Sequence, residues 1–177
     1  MKKDLPASLV ELDALRQKGW RPQVVGCFLY KKKVLMLFAK KFNLWQFPQG
    51  GIENRQTIPQ AFADEMIEEL GGMFFATTDK KMIYLLTDEV AFPPSTKTKT
   101  ILTTDDGQVM NLVGKRYYFF ASQAQDPDIA IKKTEFDDYR WLAYDEARQM
   151  AMAIRQAGKQ RVTLAAIETL ADLDLLD

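Results

Sequence analysis

Residues 50–72 read GGIENRQTIPQAFADEMIEELGG. In the second half, Asp64, Glu65, Glu68 and Glu69 place four acids within six residues, with no base among them. Thr57 and Gln60 fit a capping box and Pro59 suits a first turn, so a helix starts here; Gly71-Gly72 is its natural stop. On that helix Phe62, Met66 and Leu70 share one side. Glu65, Glu68 and Glu69 fall on the opposite side at i,i+3 and i,i+4 spacing. Like charges at those spacings cost an isolated helix ~0.2–0.5 kcal/mol each. No Lys or Arg sits three or four residues away on that face to offset them. A hard divalent cation would turn this repulsion into coordination. The Gly50-Gly51 loop ahead of the helix is a common way to bring backbone close to a ligand.

Around this stretch, apolar runs alternate with helical patterns. Residues 6–18 carry Leu9, Leu12 and Leu15 at helical spacing and stop at Gly19, which predicts a short amphipathic helix packed on the core. VVGCFLY (24–30) and VLMLFAK (34–40) flank Lys31-Lys32-Lys33 and predict a β-hairpin with a basic, solvated turn. KKMIYLL (80–86), RYYFFAS (116–122) and YRWLAY (139–144) predict further strands, and 145–157 and 160–174 two helices parted near Gly158. Residues 88–108 read as one long polar connection broken at Pro93-Pro94. Strands interleaved with helices, without an internal repeat, indicate an α/β or α+β layered fold.

Composition removes most alternatives. The chain has 177 residues, 47% of them hydrophobic, enough for one domain with a real core. We divide it into an N-terminal helical extension, residues 1–19, and a main domain, residues 20–177. Formal net charge is zero, so bulk attraction to nucleic acid is not expected. There is no histidine, which excludes Ser-His-Asp triads, Cys-His pairs and His-ligated zinc. Proton transfer would fall to carboxylates, Lys, Tyr or water, and a metal would be held mainly by oxygen. The single cysteine, Cys27, permits no disulfide within the chain. The N-terminus is too acidic for a signal peptide, and no apolar run approaches the ~18 residues needed to span a bilayer. A soluble cytoplasmic protein without membrane contact is the expectation; nothing here sets an oligomeric state.

The stretch 50–72 resembles the Nudix box, with Gly50, Glu65, Met66, Glu68, Glu69 and Gly71 in register. The flanking WQFPQGGI (45–52), WRPQVVG (20–26) and TEFDDYRW (134–141) are similar to the RNA pyrophosphohydrolase and dinucleoside-polyphosphate hydrolase branch. The resemblance implies a Nudix fold, a mixed sheet between helices, and Mg²⁺- or Mn²⁺-dependent hydrolysis of a nucleoside diphosphate linked to another group. It implies Glu65, Glu68, Glu69 and Glu135 as metal ligands, joined by Gly50. Glu65, Glu69 and Glu135 are the candidates for catalysis, the general base being Glu65 or Glu135. Two positions depart from the family: Gln56 stands where the box has Glu, and Asp64 where it has Arg. In the family those residues form an ion pair bracing loop against helix. A Gln56 amide can donate to an Asp64 carboxylate, so a hydrogen bond of reversed polarity is expected here.

Arg21, Lys41, Lys115 and Arg155 are the candidate phosphate-binding cations, Arg21 first among them. Lys40-Lys41 replace two arginines usual in the branch and lose the bidentate fork. Residue 154 is Ile where the branch tends to present a stacking Phe; Tyr84, Phe92 or Tyr117 would have to supply base stacking. The favoured substrate is an RNA 5′-triphosphate end or a dinucleoside polyphosphate. The alternatives are another small nucleotide, such as a nucleotide sugar or nucleoside triphosphate, and a non-catalytic nucleotide-binding protein.

Overall fold

The structure, a computed structural model, describes residues 6–93 and 100–177. It opens with α1 (Leu9–Gln17), where Ser8 and Glu11 cap one another. Leu12 and Leu15 of α1 are buried, whereas Leu9 is 41% exposed and leaves the predicted apolar stripe. Next come β1 (Trp20–Tyr30) and β2 (Lys33–Ala39), an antiparallel hairpin. Lys31 and Lys32 form its two-residue turn, both with left-handed backbone, which suits the twist of paired strands. Short strands β3 (Leu44–Gln46) and β4 (Gln49–Gly51) lead into α2 (Ile58–Leu70) and α3 (Gly72–Ala76). The chain continues through β5 (Ile83–Ala91), β6 (Ile101–Thr103), β7 (Val109–Asn111), β8 (Gly114–Gln123) and β9 (Asp138–Leu142). It finishes with α4 (Tyr144–Met152) and α5 (Ala157–Asp172).

Seven strands form one mixed sheet, ordered β3-β2-β1-β8-β5, with β4 beside β1 and β9 beside β2. β1 and β8 run parallel from Trp20↔Gly114 to Leu29↔Gln123, and the other pairings are antiparallel. Because side chains alternate along a strand, β1 serves two cores. Val24 and Phe28 pack with Phe62, Met66 and Leu70 of α2, and with Leu12 and Leu15 of α1. Val25 and Cys27 face the other way, toward Ala147 and Ala151 of α4 and Val162, Ala166 and Ile167 of α5. The sheet is therefore sandwiched between helices, as the sequence led us to expect. Cys27 is fully buried, and burial pushes its thiol up into an inert range.

Three boundaries differ from the sequence reading. The strand expected at 80–86 begins at Ile83 and runs to Ala91, because Asp88, Glu89, Val90 and Ala91 continue to pair with β8. The acids Asp88 and Glu89 are tolerated there because Arg161 and Arg116 neutralise them. The connection read across 88–108 is thus a strand end followed by the β6–β7 hairpin; its Lys97 and Lys99 lie outside the described residues. The last helices part at 153–156 rather than at Gly158, which sits in the first turn of α5. A Cβ at Gly158 would press on the Val90 side chain, so glycine serves a close helix–strand approach rather than a break.

Candidate functional site

The acidic helix takes its orientation from its apolar side. Burying Phe62, Met66 and Leu70 turns Asp64 and Glu68 outward and leaves Glu65 and Glu69 half-buried at the helix edge. The helix starts where expected: Thr57 and Gln60 cap one another, the Thr57 N–H donating to Gln60 Oε1 at 3.0 Å.

The glycine loop fits closely against these acids. A Cβ on Gly50 would collide with the Glu65 carboxylate, and one on Gly51 would press on the Arg21 guanidinium. The Gln49 N–H donates to Glu69 Oε2 at 2.7 Å. Burial, then the charge of Glu68, raises the Glu65 carboxyl above its ordinary range. Glu69 is pushed up to about 8, first by burial and then by Glu135 and Glu65; the Gln49 N–H and Lys159 oppose this only in part. Carboxylates that raise one another's pKa on one helix, with the Gly50 backbone approaching Glu65, match the oxygen-donor chemistry of a hard divalent cation. Among the described residues, however, no three acidic side chains converge into a ready-made metal cage. Metal binding would have to draw the acids of α2 together.

Two contacts set the loop before the helix. Gln56 Nε2 donates to Asp64 Oδ2 at 2.8 Å, while Gln56 Oε1 accepts the Glu53 N–H at 2.9 Å. From the other side comes Arg16 of α1, only 1% exposed. Its guanidinium donates to the carbonyls of Ile52 and Glu53 at 2.7 and 2.9 Å and pairs with Asp105 at 3.3 Å. Asp105, in the β6–β7 turn, also accepts the Arg55 N–H at 3.1 Å and donates its own N–H to Asp13 of α1. Arg16 escaped the sequence reading because an arginine near a helix end looks like a solvated surface residue.

A cleft of about 840 Å³ opens beside the helix edge, lined by Glu69 and Glu135 together with Lys115, Lys159, Gln23 and Gln49. Glu65 and Glu68 share the helix with Glu69 but do not line this cleft. Of the predicted phosphate-binding cations, only Lys115 does. Arg21 is drawn toward Glu53 at 3.8 Å, and Lys41 lies exposed with its ammonium over the Phe42 ring. Arg155 is exposed in the α4–α5 connection, outside the cleft. The cation missed was Lys159, masked in sequence by the helical pattern around it. Ile154 is buried in the second core, while Phe42, Phe92 and Tyr117 line the cleft and Tyr84 packs on Phe120 away from it.

The chain is 32% identical over 132 residues to an RNA pyrophosphohydrolase of Actinobacillus pleuropneumoniae serotype 5b, covering 71% of this chain and 61% of that protein. It is 30% identical to an RNA pyrophosphohydrolase of Pasteurella multocida, covering 71% of this chain and 63% of that protein. The match thus spans less than two thirds of these relatives' length. The E. coli dihydroneopterin triphosphate pyrophosphohydrolase superposes with a TM-score of 0.60 at 19% identity, covering 87% of this chain and 98% of that one. A Nudix hydrolase from Nitrosomonas europaea gives 0.59 at 17% identity, covering 89% and 96%. These two likenesses concern the fold alone. Residues 20–164 match the NUDIX domain, and on that match the chain belongs to the NUDIX domain family.

Proposed function

We propose that this chain is a divalent-metal-dependent pyrophosphohydrolase whose substrate is an RNA 5′-triphosphate end or a dinucleoside polyphosphate. The observation that carries the reading is the joint placement of Glu69 and Glu135 with two lysines in one cleft, at the edge of the acid-bearing helix. Glu65, Glu68, Glu69 and Glu135, with the backbone of Gly50, would hold Mg²⁺ or Mn²⁺. Bound there, the metal would supply positive charge to phosphate oxygens and acidity to the attacking water. The chain's own residues do the rest. Glu135 is exposed at the cleft and makes no side-chain hydrogen bond to a described residue, which leaves it free to take the water's proton. Gln49 fixes one oxygen of Glu69 through its backbone N–H, so that carboxylate keeps its direction. Lys115 faces the same space and balances the negative charge of the phosphates. Arg21, Lys41 and Arg155 do not line the cleft, although Arg21 lies against Gly51, close enough to act on Glu65. Residues 20–177 form the hydrolase domain in this reading, and 1–19 an extension fastened to it through Arg16.

A smaller nucleotide is the second reading, favoured by one observation: Ile154 is buried and offers no stacking surface. Phe42 and Phe92, on the cleft, are the aromatics available to a base. The deciding experiment incubates the purified chain with Mg²⁺ or Mn²⁺ and a panel of triphosphorylated RNA, diadenosine polyphosphates, nucleotide sugars and nucleoside triphosphates. Pyrophosphate or orthophosphate release from triphosphorylated RNA, or splitting of diadenosine polyphosphates into two mononucleotides, with little turnover of the others, supports the proposal. Turnover of the small nucleotides alone, to nucleoside monophosphate and pyrophosphate or sugar phosphate, moves the assignment to the second reading, and no turnover of any substrate favours a binding protein.

A further inference from the structure

Most arginines of this chain already have an acid. Arg16 pairs with Asp105, Arg21 with Glu53, Arg116 with Glu89, Arg148 with Glu168 and Arg161 with Asp88. Lys115 and Lys159 differ. Both are half-buried on the cleft, and among the described residues neither has a carboxylate within ion-pair distance. They also stand close enough to repel one another. Exposed lysines need no partner because water solvates them; two like charges taken partly out of water do. Aromatic support is modest: the Lys159 ammonium lies 5.5 Å from the Tyr117 ring centroid.

The cleft carries a second unsatisfied group. Gln23 is 5% exposed and lines the same cleft, and among the described residues its Oε1 has no hydrogen-bond partner. Gln23 and Tyr117 are register partners on β1 and β8, as are Arg21 and Lys115 one pleat away, so all four side chains rise from one face of the sheet. Lys159 reaches them from the first turn of α5. The cleft therefore collects two cations and an unpartnered carbonyl; Glu69 and Glu135 line it as well, but among the described residues neither stands within ion-pair distance of either lysine.

We propose that Lys115 and Lys159 form an anion site that holds the phosphate chain of the substrate, with Gln23 orienting the two ammonium groups. The assignment of this anion to a substrate's phosphates rests on the hydrolase reading above; the two unpaired lysines stand independently of it. A phosphate between the two ammoniums would relieve their repulsion and satisfy both with charge-assisted hydrogen bonds. Gln23 Oε1 then accepts an N–H from whichever lysine the phosphate turns toward it. The phosphate chain would lie between the carboxylates of the helix edge and the lysines, which fixes its direction through the cleft.

The test titrates inorganic tripolyphosphate into the full chain, freed of metal with chelator, at pH 6.5, by calorimetry. Lys159→Gln and Lys115→Gln are each expected to weaken binding by about tenfold or more, with Lys159→Arg recovering most of it. Lys33→Gln, at the exposed start of β2, is expected to bind like wild type. Binding should weaken as salt rises. Wild-type protein that does not bind, or lysine variants that bind within about twofold of wild type, would overturn the site. A parallel assay follows turnover of the whole substrate panel above with Mn²⁺. Tripolyphosphate binding through the two lysines without wild-type hydrolysis keeps the anion site and removes the hydrolase reading. Hydrolysis with lysine-independent binding does the reverse.

Discussion

Gln56 donates its amide to Asp64 at 2.8 Å, joining the glycine loop to the acidic helix where the family uses an ion pair. The same side chain accepts the Glu53 N–H, so one glutamine both closes the loop and ties it to α2. Asp64→Arg alone would set a guanidinium against the Gln56 amide, which has only donors on that side. Gln56→Glu with Asp64→Arg restores opposite charges and keeps an acceptor for Glu53. We expect the double variant to be more stable than Asp64→Arg, with a coupling of about 0.5–3 kcal/mol in denaturant unfolding. Additive effects would mean the two positions act separately.

Glu68→Gln and Glu69→Gln address the acid face directly. Neither side chain is deeply packed in the apolar core, so both variants should fold. Turnover should fall by ~10²-fold or more, the scale for loss of a charge-stabilising or proton-handling group. Glu68 is exposed and outside the cleft lining, so it makes the sharper test. Unchanged turnover in Glu68→Gln would remove it from the metal-binding set.

The elements most legible in the sequence were those whose signals are local. The capping box at Thr57 and Gln60, the apolar stripe of Phe62, Met66 and Leu70, and the hairpin at Lys31-Lys32 each sit within a few residues. The Gln56–Asp64 bond was legible for the same reason, being an exchange of two known partners eight residues apart. What stayed hidden depends on contacts distant in sequence. Nothing near Arg16 indicates that it will be buried against Ile52 and Asp105, which lies 89 residues away. Lys159 reads as one polar residue on an amphipathic helix until β8 brings Lys115 and Tyr117 beneath it. The strand character of Asp88 and Glu89 was masked by their charge, which Arg161 and Arg116 offset only in the folded chain.

Arg16 links three parts of the molecule: α1, the loop at Ile52 and Glu53, and the β6–β7 turn through Asp105. Arg16→Met keeps much of the side chain's bulk but strips two carbonyls and one carboxylate of their donor. Stability should fall by about 1–3 kcal/mol, measured by denaturant unfolding. Amide exchange across residues 52–56 should accelerate more than exchange in β8, which touches none of these groups. Uniform acceleration across the chain would mean Arg16 serves the fold as a whole rather than the loop. The loop carries Gly50 and Gly51 at its start, so we also expect weaker Mn²⁺ binding in this variant.

The metal-free protein should show a stability minimum near neutral pH, and its two limbs come from different residues. Glu69 shifts from an ordinary 4.5 up to about 8, so the folded state holds the proton more tightly than the unfolded state across that window. Stability from this group is present below pH 4.5 and is lost as pH rises toward 8. Lys159 shifts the other way, from 10.5 down to about 7, because burial and then Lys115 disfavour its charge. Its contribution is present above pH 10.5 and is lost as pH falls toward 7. The two losses overlap between about 7 and 8, where thermal unfolding in chelator should occur at its lowest temperature. Glu69→Gln should flatten the acidic limb and Lys159→Gln the basic limb, each leaving the other in place. Mn²⁺ should raise the unfolding temperature more above about pH 8 than below it, because below that pH Glu69 holds a proton that competes with the metal. A profile that stays flat from pH 5 to 10, measured by differential scanning calorimetry in chelator, would mean that neither group is held away from water as the cleft geometry requires.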